Sequence, residues 1–169
     1  SSQSRGLGDV YKRQVQTDEQ IDVMMPILVE RDPRFADLVT AMDTDTKSFQ
    51  KIIDTVFNYW VSPECDIDGI QSWADYRGGV VSAFEGAMAS AQSGTDTAIF
   101  TSGGTIATIV GHVLRLTSDR VYEFYEPVFN CSITRIIFNS RKCSLSTFND
   151  VGHLHLISAQ LRERLVTYR

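Results

Sequence analysis

Apolar residues recur at helical spacing through the first half of the chain. Between Thr46 and Trp60 they fall three or four positions apart, which predicts a helix with one buried face. The stripe consists of Phe49, Ile52, Ile53, Val56, Phe57 and Trp60. Thr46 stands where an N-cap is expected. A shorter apolar pattern over residues 22–29 predicts a short helix before Pro33, where the pattern is interrupted.

A second stretch with the same period follows the segment SPECDIDG, from Ile70 to Met88. Ser72 and Asp75 form a variant of the capping box at its start. The pair Gly78 and Gly79 in its middle predicts close packing against a neighbour or a bend. Together these patterns predict a helical region without strands over residues 20–92.

After residue 92 the pattern changes. Residues 97–101, sequence TAIFT, form a short run that fits a buried strand. Ser102, Gly103 and Gly104 follow at once, and apolar residues from Ile106 to Leu114 predict a helix, which gives a strand, turn and helix over residues 97–115. Further on, two β-rich runs, Cys131 to Phe138 and Cys143 to Phe148, are joined by polar residues and predict a hairpin over residues 131–148.

Amino-acid composition and charge limit the classes of protein to which the chain can belong. The chain has 169 residues, 43% of them apolar and 22% charged, which is typical of a globular domain. The net charge is −5 and no basic cluster exceeds a pair, which argues against nucleic acid as a partner. No apolar run is long enough for a membrane span. Three cysteines without C-x-x-C spacing favour a reducing compartment, and we expect a cytoplasmic protein.

The first fourteen residues, SSQSRGLGDVYKRQ, differ from the rest. They have no apolar periodicity and resemble translated adapter sequence, so we expect 1–14 to be non-native and 15–169 to be the natural part. A disordered N-terminal arm is the alternative.

The turn TSGGT is the strongest candidate for chemistry. A strand that opens through small residues into a helix presents unpaired backbone N–H groups to one spot, where the helix dipole favours an anion such as phosphate or carboxylate. The alternative is that Gly103 and Gly104 serve only the tight geometry of the turn. The turn lacks the Lys of a phosphate-binding loop and the glycine spacing of a nucleophile elbow.

Other polar residues give weaker signals. His153 and His155 lack a third metal ligand at fixed spacing, so a structural or surface role is favoured and no metal is expected. His112 is predicted on the solvent side of its helix. The acidic loop around Asp66 lacks the pattern of a calcium site. Cys131 and Cys143 lie on neighbouring predicted strands and could approach each other, although free buried thiols are commoner.

Four segments together resemble the histidine phosphatase superfamily, the phosphoglycerate mutase-like proteins. They are IQSWADYRGGVVSAFEGAM, AIFTSGGTIATIVGHVLRL, YEPVFNCSITRIIFN and SLSTFNDVGHL, in the order in which they occur here. The resemblance covers residues from about 20 to 169 and identifies the chain as the C-terminal part of such a domain. It implies a three-layer α/β/α fold, truncated at its N-terminus, with residues 97–101 and the hairpin as its last three strands.

The resemblance also implies a chemistry. In this family a histidine in an R-H-G motif accepts the phosphoryl group, cationic side chains neutralise it, and a carboxylate acts as general acid. The chain contains no R-H-G, and Ser102 stands where the family has its second catalytic histidine. A hydroxyl donates a hydrogen bond but carries no positive charge. Ser102, Gly103 and Gly104 would line the phosphate site, and Glu19 is the candidate acid.

Two hypotheses follow from the resemblance. In the first, the intact parent hydrolyses or transfers a phosphomonoester through a phosphohistidine, needs no cofactor, and acts on a small phosphorylated substrate, while the present chain is inactive. In the second, the protein is a non-catalytic member that binds a phospho-ligand or a partner. The family's first strand lies between its fourth and fifth, so we expect either that residues 97–101 pair with the hairpin or that unpaired strand edges are exposed.

Overall fold

The computed structural model describes residues 22–41, 46–156 and 166–167. They form helices, one short 3₁₀ turn (Ser118–Arg120) and a β-hairpin. The helices are α1 (22–31), α2 (Pro33–Ala41), α3 (Thr46–Val61), α4 (Trp73–Ser90), α5 (Gly103–Leu114), α6 (Tyr122–Tyr125) and α7 (Gly152–His155). The strands are β1 (Ile133–Phe138) and β2 (Cys143–Asp150). The chain divides into two compact units, Ser1–Tyr76 and Arg77–Arg169, with the boundary inside α4.

The first unit buries the apolar faces of its helices. Ile52, Val56 and Trp60 of α3 are buried, and Ile53 and Phe57 are half-buried, which confirms five of the six positions of the predicted stripe at least in part. Phe49 is 47% exposed, so its assignment to the buried face is wrong. The predicted cap at Thr46 concerns a side chain outside the described residues. The predicted short helix is confirmed as α1, and Pro33 begins α2, because a first-turn position needs no N–H donor.

Four aromatic rings form the centre of this unit. Trp60 packs against Trp73 and Tyr76 with 5.2 Å between ring centroids in each pair, and Phe57 meets Trp60 edge to face at 6.1 Å. The indole N–H of Trp60 donates to the carbonyl of Gln71 at 2.8 Å. The buried polar atom is therefore satisfied, and the cluster joins α3 to the start of α4.

Helix α4 begins as its sequence predicts. The Ser72 hydroxyl accepts from the backbone N–H of Asp75 at 3.1 Å and donates to the Asp75 carboxylate at 2.8 Å. This pair confirms the predicted capping motif. The helix starts at Trp73, so Ile70 lies outside it. A Cβ added at Gly78 would have no neighbour within 4 Å, so the close packing predicted there is wrong for this glycine.

The second unit is centred on α5, whose Ala107 and Val110 are fully buried. Helix α5 packs against α6 and β2. Its Gly111 lies so close to Val121 that an added Cβ would meet the Val121 side chain at 2.9 Å. The missing side chain at this position therefore permits the approach of Val121 to α5.

The predicted hairpin is confirmed, with slightly different ends. β1 and β2 pair antiparallel, with Phe138 opposite Cys143 and Ile136 opposite Leu145. In the connecting turn, the side-chain oxygen of Asn139 accepts from the backbone N–H groups of Arg141 and Lys142 at 2.8 and 2.9 Å. These bonds explain why a polar segment closes the hairpin here.

The predicted strand over residues 97–101 is wrong. The described residues contain one sheet, of two strands, and residues 97–101 belong to neither. Ile99 is 52% exposed and Phe100 78% exposed, so the segment is not buried. A strand obtains its hydrogen bonds from another segment, and no described segment supplies them to residues 97–101. Of the two expectations for the sheet, pairing of residues 97–101 with the hairpin is wrong, because β1 and β2 pair only with each other among the described residues. The other expectation, exposed unpaired edges, stays a prediction. Mixed helices with a small sheet agree with an α/β fold.

Candidate functional site

Ser102, Gly103 and Gly104 lie at the start of α5. Ser102 is the N-cap, with φ −80° and ψ 162°, and Gly103 is the first helical residue. The Ser102 carbonyl accepts from the N–H of Ile106 at 3.0 Å, which closes the first turn. The predicted change from the apolar run to a helix through a small-residue turn is confirmed in position. The helix is long enough, at twelve residues, to present a positive dipole end at this turn.

The Ser102 hydroxyl does not cap the helix, because it makes no hydrogen bond to a backbone N–H of the first turn. Its oxygen lies 3.4 Å from the hydroxyl oxygen of Thr105, one turn along. Within the described residues, the N–H groups of Gly103 and Gly104 donate to no backbone oxygen. Two backbone donors thus remain available at one helix end, beside a hydroxyl whose contact with Thr105 is long, and an oxyanion is the ligand that such donors bind.

Thr108 stabilises this turn from within the helix. Its hydroxyl donates to the carbonyl of Gly104 at 2.8 Å, and Thr108 is 1% exposed. Gly103 is itself buried. A buried threonine and a buried glycine therefore hold the first turn of α5 in place, and with it the N–H groups of Gly103 and Gly104.

The histidines are placed elsewhere. His112 lies at the other end of α5, where its Nε2 is 3.6 Å from a carboxylate oxygen of Glu85. Its side chain is 31% exposed and its ring meets Phe84 edge to face, so the prediction of a solvent-side histidine is only partly right. His153 and His155 lie in α7. No group of three potential metal ligands occurs among the described residues.

Glu19, the candidate acid, lies outside the described residues. Its relation to Ser102 therefore stays a prediction. The three cysteines are free thiols, with Cys131 exposed. Cys143 contacts Met88, with 3.8 Å between the sulfurs, and burial raises the pKa of its thiol. The approach of Cys131 to Cys143 that the sequence allowed gives no disulfide.

An exposed cluster in the first unit was missed by sequence reasoning. The Arg31 guanidinium donates to both carboxylate oxygens of Asp66, at 2.9 and 3.2 Å, and also to the Tyr59 hydroxyl. That hydroxyl donates to Asp66 at 2.7 Å. These hydrogen bonds, first from Arg31 and then from Tyr59, lower the pKa of Asp66 to about 2. The acidic loop thus has a structural partner, which sequence spacing of 35 residues does not reveal.

Asn149 is the second residue whose role was missed. It has φ +57°, its side-chain oxygen accepts from the N–H of Phe129 at 2.9 Å, and its side-chain nitrogen donates to the carbonyl of Pro127 at 2.6 Å. Its own N–H donates to the Thr134 hydroxyl at 3.2 Å. The sequence offers one signal for this role, an asparagine within a strand-like run. Asparagine tolerates positive φ better than most other side chains, so its presence there indicates an irregular backbone.

Two further observations bear on identity. In the part of the chain that the structure describes, no helix has the length and apolar character needed to cross a membrane. Comparison with curated proteins and with solved structures gave no match.

Comparison with family models gives one match. The model described as histidine phosphatase superfamily (branch 1) matches residues 10–151, which is most of the chain and includes the turn at Ser102, helix α5 and the hairpin. The resemblance seen in four sequence segments is thereby confirmed. The chain belongs to the histidine phosphatase superfamily, branch 1.

Proposed function

We propose that the turn of Ser102, Gly103 and Gly104 binds the phosphoryl group of a small phosphorylated molecule. Membership of the superfamily supports a phosphatase or mutase type of protein. The observation that carries the proposal is the Ser102 hydroxyl, whose one side-chain contact among the described residues is the Thr105 hydroxyl at 3.4 Å, beside the N–H groups of Gly103 and Gly104, which donate to no described backbone oxygen at the start of α5.

The chemistry of serine limits what this turn contributes. A neutral hydroxyl donates one hydrogen bond to a phosphoryl oxygen but cannot offset its charge as an imidazolium does. The backbone N–H groups and the dipole of α5 remain as the favourable electrostatic contribution. We therefore assign Ser102 to binding and positioning of the phosphoryl group rather than to proton transfer.

Phosphoryl transfer to histidine needs a nucleophile, which the superfamily carries in an R-H-G motif. None of His112, His153 and His155 stands in such a motif. We propose that this chain binds phosphate without turnover, and that a protein carrying the motif would hydrolyse or transfer a phosphomonoester through a phosphohistidine. The free thiols support a reducing compartment, which we propose is the cytoplasm.

A non-catalytic role is the second candidate. Serine at the position of the family's second catalytic histidine favours it, because the turn then keeps its anion-binding donors and loses a cationic group. The reading frame of the whole gene distinguishes the two candidate functions. An R-H-G motif in that reading frame supports the enzyme, and a reading frame without the motif supports the binding protein.

Calorimetry and an activity assay test the proposal on the 169-residue chain. We expect orthophosphate to bind weakly, and Ser102→Ala to weaken binding by about five- to tenfold, as expected when one hydrogen bond worth about 1 kcal/mol is lost. Ser144→Ala, at an exposed position of β2, is the matched control and should bind as the unchanged chain does.

With p-nitrophenyl phosphate we expect no phosphate release above the uncatalysed rate. Release that Ser102→Ala abolishes would show that the chain itself is catalytic. Orthophosphate binding that is equal in the unchanged chain and in Ser102→Ala would place the anion elsewhere and refute the proposed site.

A further inference from the structure

The loop between α3 and α4 contains the one place in the chain where an aspartate or an asparagine precedes a glycine. Asp68 and Gly69 lie there, and both are exposed. Before a glycine, the next peptide nitrogen attacks an aspartate side chain most readily, because no side chain on the second residue blocks the approach. The loop therefore carries a reactive pair that the phosphate site does not use.

Gly69 has the freedom that such an attack needs. It has φ +85°, and a Cβ placed on it would have no neighbour within 4 Å. Its N–H donates to no described residue, so no hydrogen bond within the described part of the chain holds the nitrogen in place. The attack requires rotation of the peptide between Asp68 and Gly69, which an exposed glycine permits.

The carboxylate of Asp68 is equally unrestrained, because it makes no hydrogen bond or ion pair with a described residue. Asp66, two positions earlier, is the opposite case. Arg31 donates to both of its carboxylate oxygens, at 2.9 and 3.2 Å, and the Tyr59 hydroxyl donates to it at 2.7 Å. The residue after Asp66 is Ile67, whose branched side chain crowds the nitrogen. One loop thus holds a clamped aspartate and an unclamped one.

The clamp also keeps Asp66 in its unreactive form. A peptide nitrogen attacks the neutral carboxylic acid, because a carboxylate has no group that can leave. The hydrogen bonds from Arg31 and then Tyr59 lower the pKa of Asp66 from 3.8 to about 2. Near neutral pH its neutral form is therefore rarer, by a factor of roughly 60, than that of a carboxyl group that titrates at 3.8. We expect Asp66 to be unreactive.

We propose that Asp68 and Gly69 form a site of spontaneous covalent modification, at which aspartate converts through a succinimide to isoaspartate. The Gly69 nitrogen forms a bond to Cγ of Asp68, the bond from Cγ to its hydroxyl oxygen breaks, and that hydroxyl group leaves with the amide proton as water. A water molecule then opens the ring. Attack at the main-chain carbonyl gives isoaspartate, and attack at Cγ restores aspartate. The overall mass is unchanged, and water is the only co-reactant.

The product changes a loop that is anchored on both sides of Asp68. Asp66 is bound by Arg31, and the Gln71 carbonyl accepts from the Trp60 indole at 2.8 Å. Isoaspartate adds one carbon atom to the main chain between these anchors, because the chain then runs through Cβ and Cγ. Trp60 packs closely in the aromatic cluster of the first unit, so we expect the conversion to change the environment of its indole.

Incubation of the full chain in water labelled with oxygen-18 tests the proposal. After weeks at physiological temperature and mildly acidic pH, peptide mapping by mass spectrometry should show an isomer of the peptide that contains Asp68. Fragmentation should place isoaspartate and the oxygen label at residue 68 and not at Asp66. A methyltransferase that uses S-adenosylmethionine and is specific for L-isoaspartate should methylate the aged chain at the same residue.

Two variants at this exposed position separate the proposed route from general ageing. Asp68→Glu keeps the charge but requires a six-membered ring, which closes more slowly, so we expect loss of the isomer and of the methylation. Asp68→Asn reaches the same succinimide with release of ammonia and should give isoaspartate faster than the unchanged chain. In NMR spectra, a second Trp60 indole signal should grow with isoaspartate in the unchanged chain and be absent from aged Asp68→Glu.

The proposal would be overturned by the absence of isoaspartate at residue 68 after incubation, by equal conversion at Asp66, or by methylation of aged Asp68→Glu to the same extent as the unchanged chain. A single Trp60 indole signal while isoaspartate accumulates would refute the effect of the conversion on the aromatic cluster.

Discussion

The two compact units bury their apolar residues to different degrees. In the first unit, Ile52, Val56 and Trp60 of α3 are nearly inaccessible to water, whereas in the second unit Ile99 and Phe100 are 52% and 78% exposed. Helical hydrogen bonds form within one segment, so α3 needs only apolar neighbours to cover its face. Residues 97–101 need a second backbone to pair with. The contrast shows that one chain can complete a helical core while a strand-like segment has no pairing partner among the described residues.

The largest expected effect lies in the aromatic cluster of the first unit. Trp60→Ala removes a buried ring and its hydrogen bond to Gln71, and should lower the free energy of unfolding by about 3–5 kcal/mol. Phe49→Ala in the same helix, at a half-exposed position, should cost about 1 kcal/mol or less. Urea unfolding, followed by the far-ultraviolet circular dichroism of the helices, measures the free energy of unfolding of both variants. Equal losses would contradict the assignment of the buried face.

In the second unit, outside the buried residues of α5, we expect substitution of Asn149 to lower the free energy of unfolding the most. Asn149→Ala removes two side-chain hydrogen bonds and leaves a residue that disfavours positive φ, so we expect a loss of about 2–4 kcal/mol. Asn149→Gly loses the same bonds without the backbone penalty and should recover about 1 kcal/mol of that loss. Thermal or urea unfolding distinguishes the two variants. If glycine is no better than alanine, the backbone conformation is not what selects asparagine.

Two helical glycines should respond to alanine substitution with smaller changes in stability, and with opposite signs. Gly111→Ala forces a methyl group against Val121 and should destabilise by about 1 kcal/mol, because overpacking outweighs the gain in helix propensity. Gly86→Ala meets no atom within 4 Å and should stabilise by about 0.5–1 kcal/mol. Urea unfolding should show a lower free energy of unfolding for Gly111→Ala and a higher one for Gly86→Ala. Stabilisation by both changes would refute the close approach of Val121 to α5.

The smallest effect concerns the exposed cluster of Arg31, Tyr59 and Asp66. Because Arg31 and Tyr59 lower the pKa of the Asp66 carboxyl from 3.8 to about 2, the cluster favours the folded state at pH values above 3.8. That contribution is lost as the pH falls through about 2, where the folded carboxylate takes up its proton. A carboxyl-carbon NMR titration should show this low midpoint, and Tyr59→Phe should raise it. A midpoint near 3.8 in the unchanged chain would contradict the cluster.

Sequence patterns predicted those elements whose hydrogen bonds are local. The stripe of α3, the capping pair Ser72 and Asp75, and the hairpin turn at Asn139 depend on residues a few positions apart. All three are confirmed, except that Phe49 of the stripe is half-exposed. The run over residues 97–101 has a strand-like composition, but composition cannot supply the partner segment. The prediction failed at the step that depends on tertiary pairing.

In the candidate site, too, local features were predictable from the sequence and contacts between distant residues were not. Ser102, Gly103 and Gly104 were predicted from local features, small residues before an apolar helix, and the structure places them at the start of α5. The contact of Arg31 with Asp66 spans 35 residues, and the role of Asn149 depends on a loop 20 and 22 residues earlier. Such distant contacts leave no periodic signal in one sequence, so they could not be predicted from it.

The most direct test of the account is an NMR titration of the ¹⁵N-labelled chain with orthophosphate. The amide signals of Gly103 and Gly104 should shift saturably, and the shifts should be reduced in Ser102→Ala and retained in Ser144→Ala. Shifts confined to exposed cations such as Arg141 and Lys142, or equal shifts of the glycine amides in both variants, would contradict a phosphate site at the start of α5.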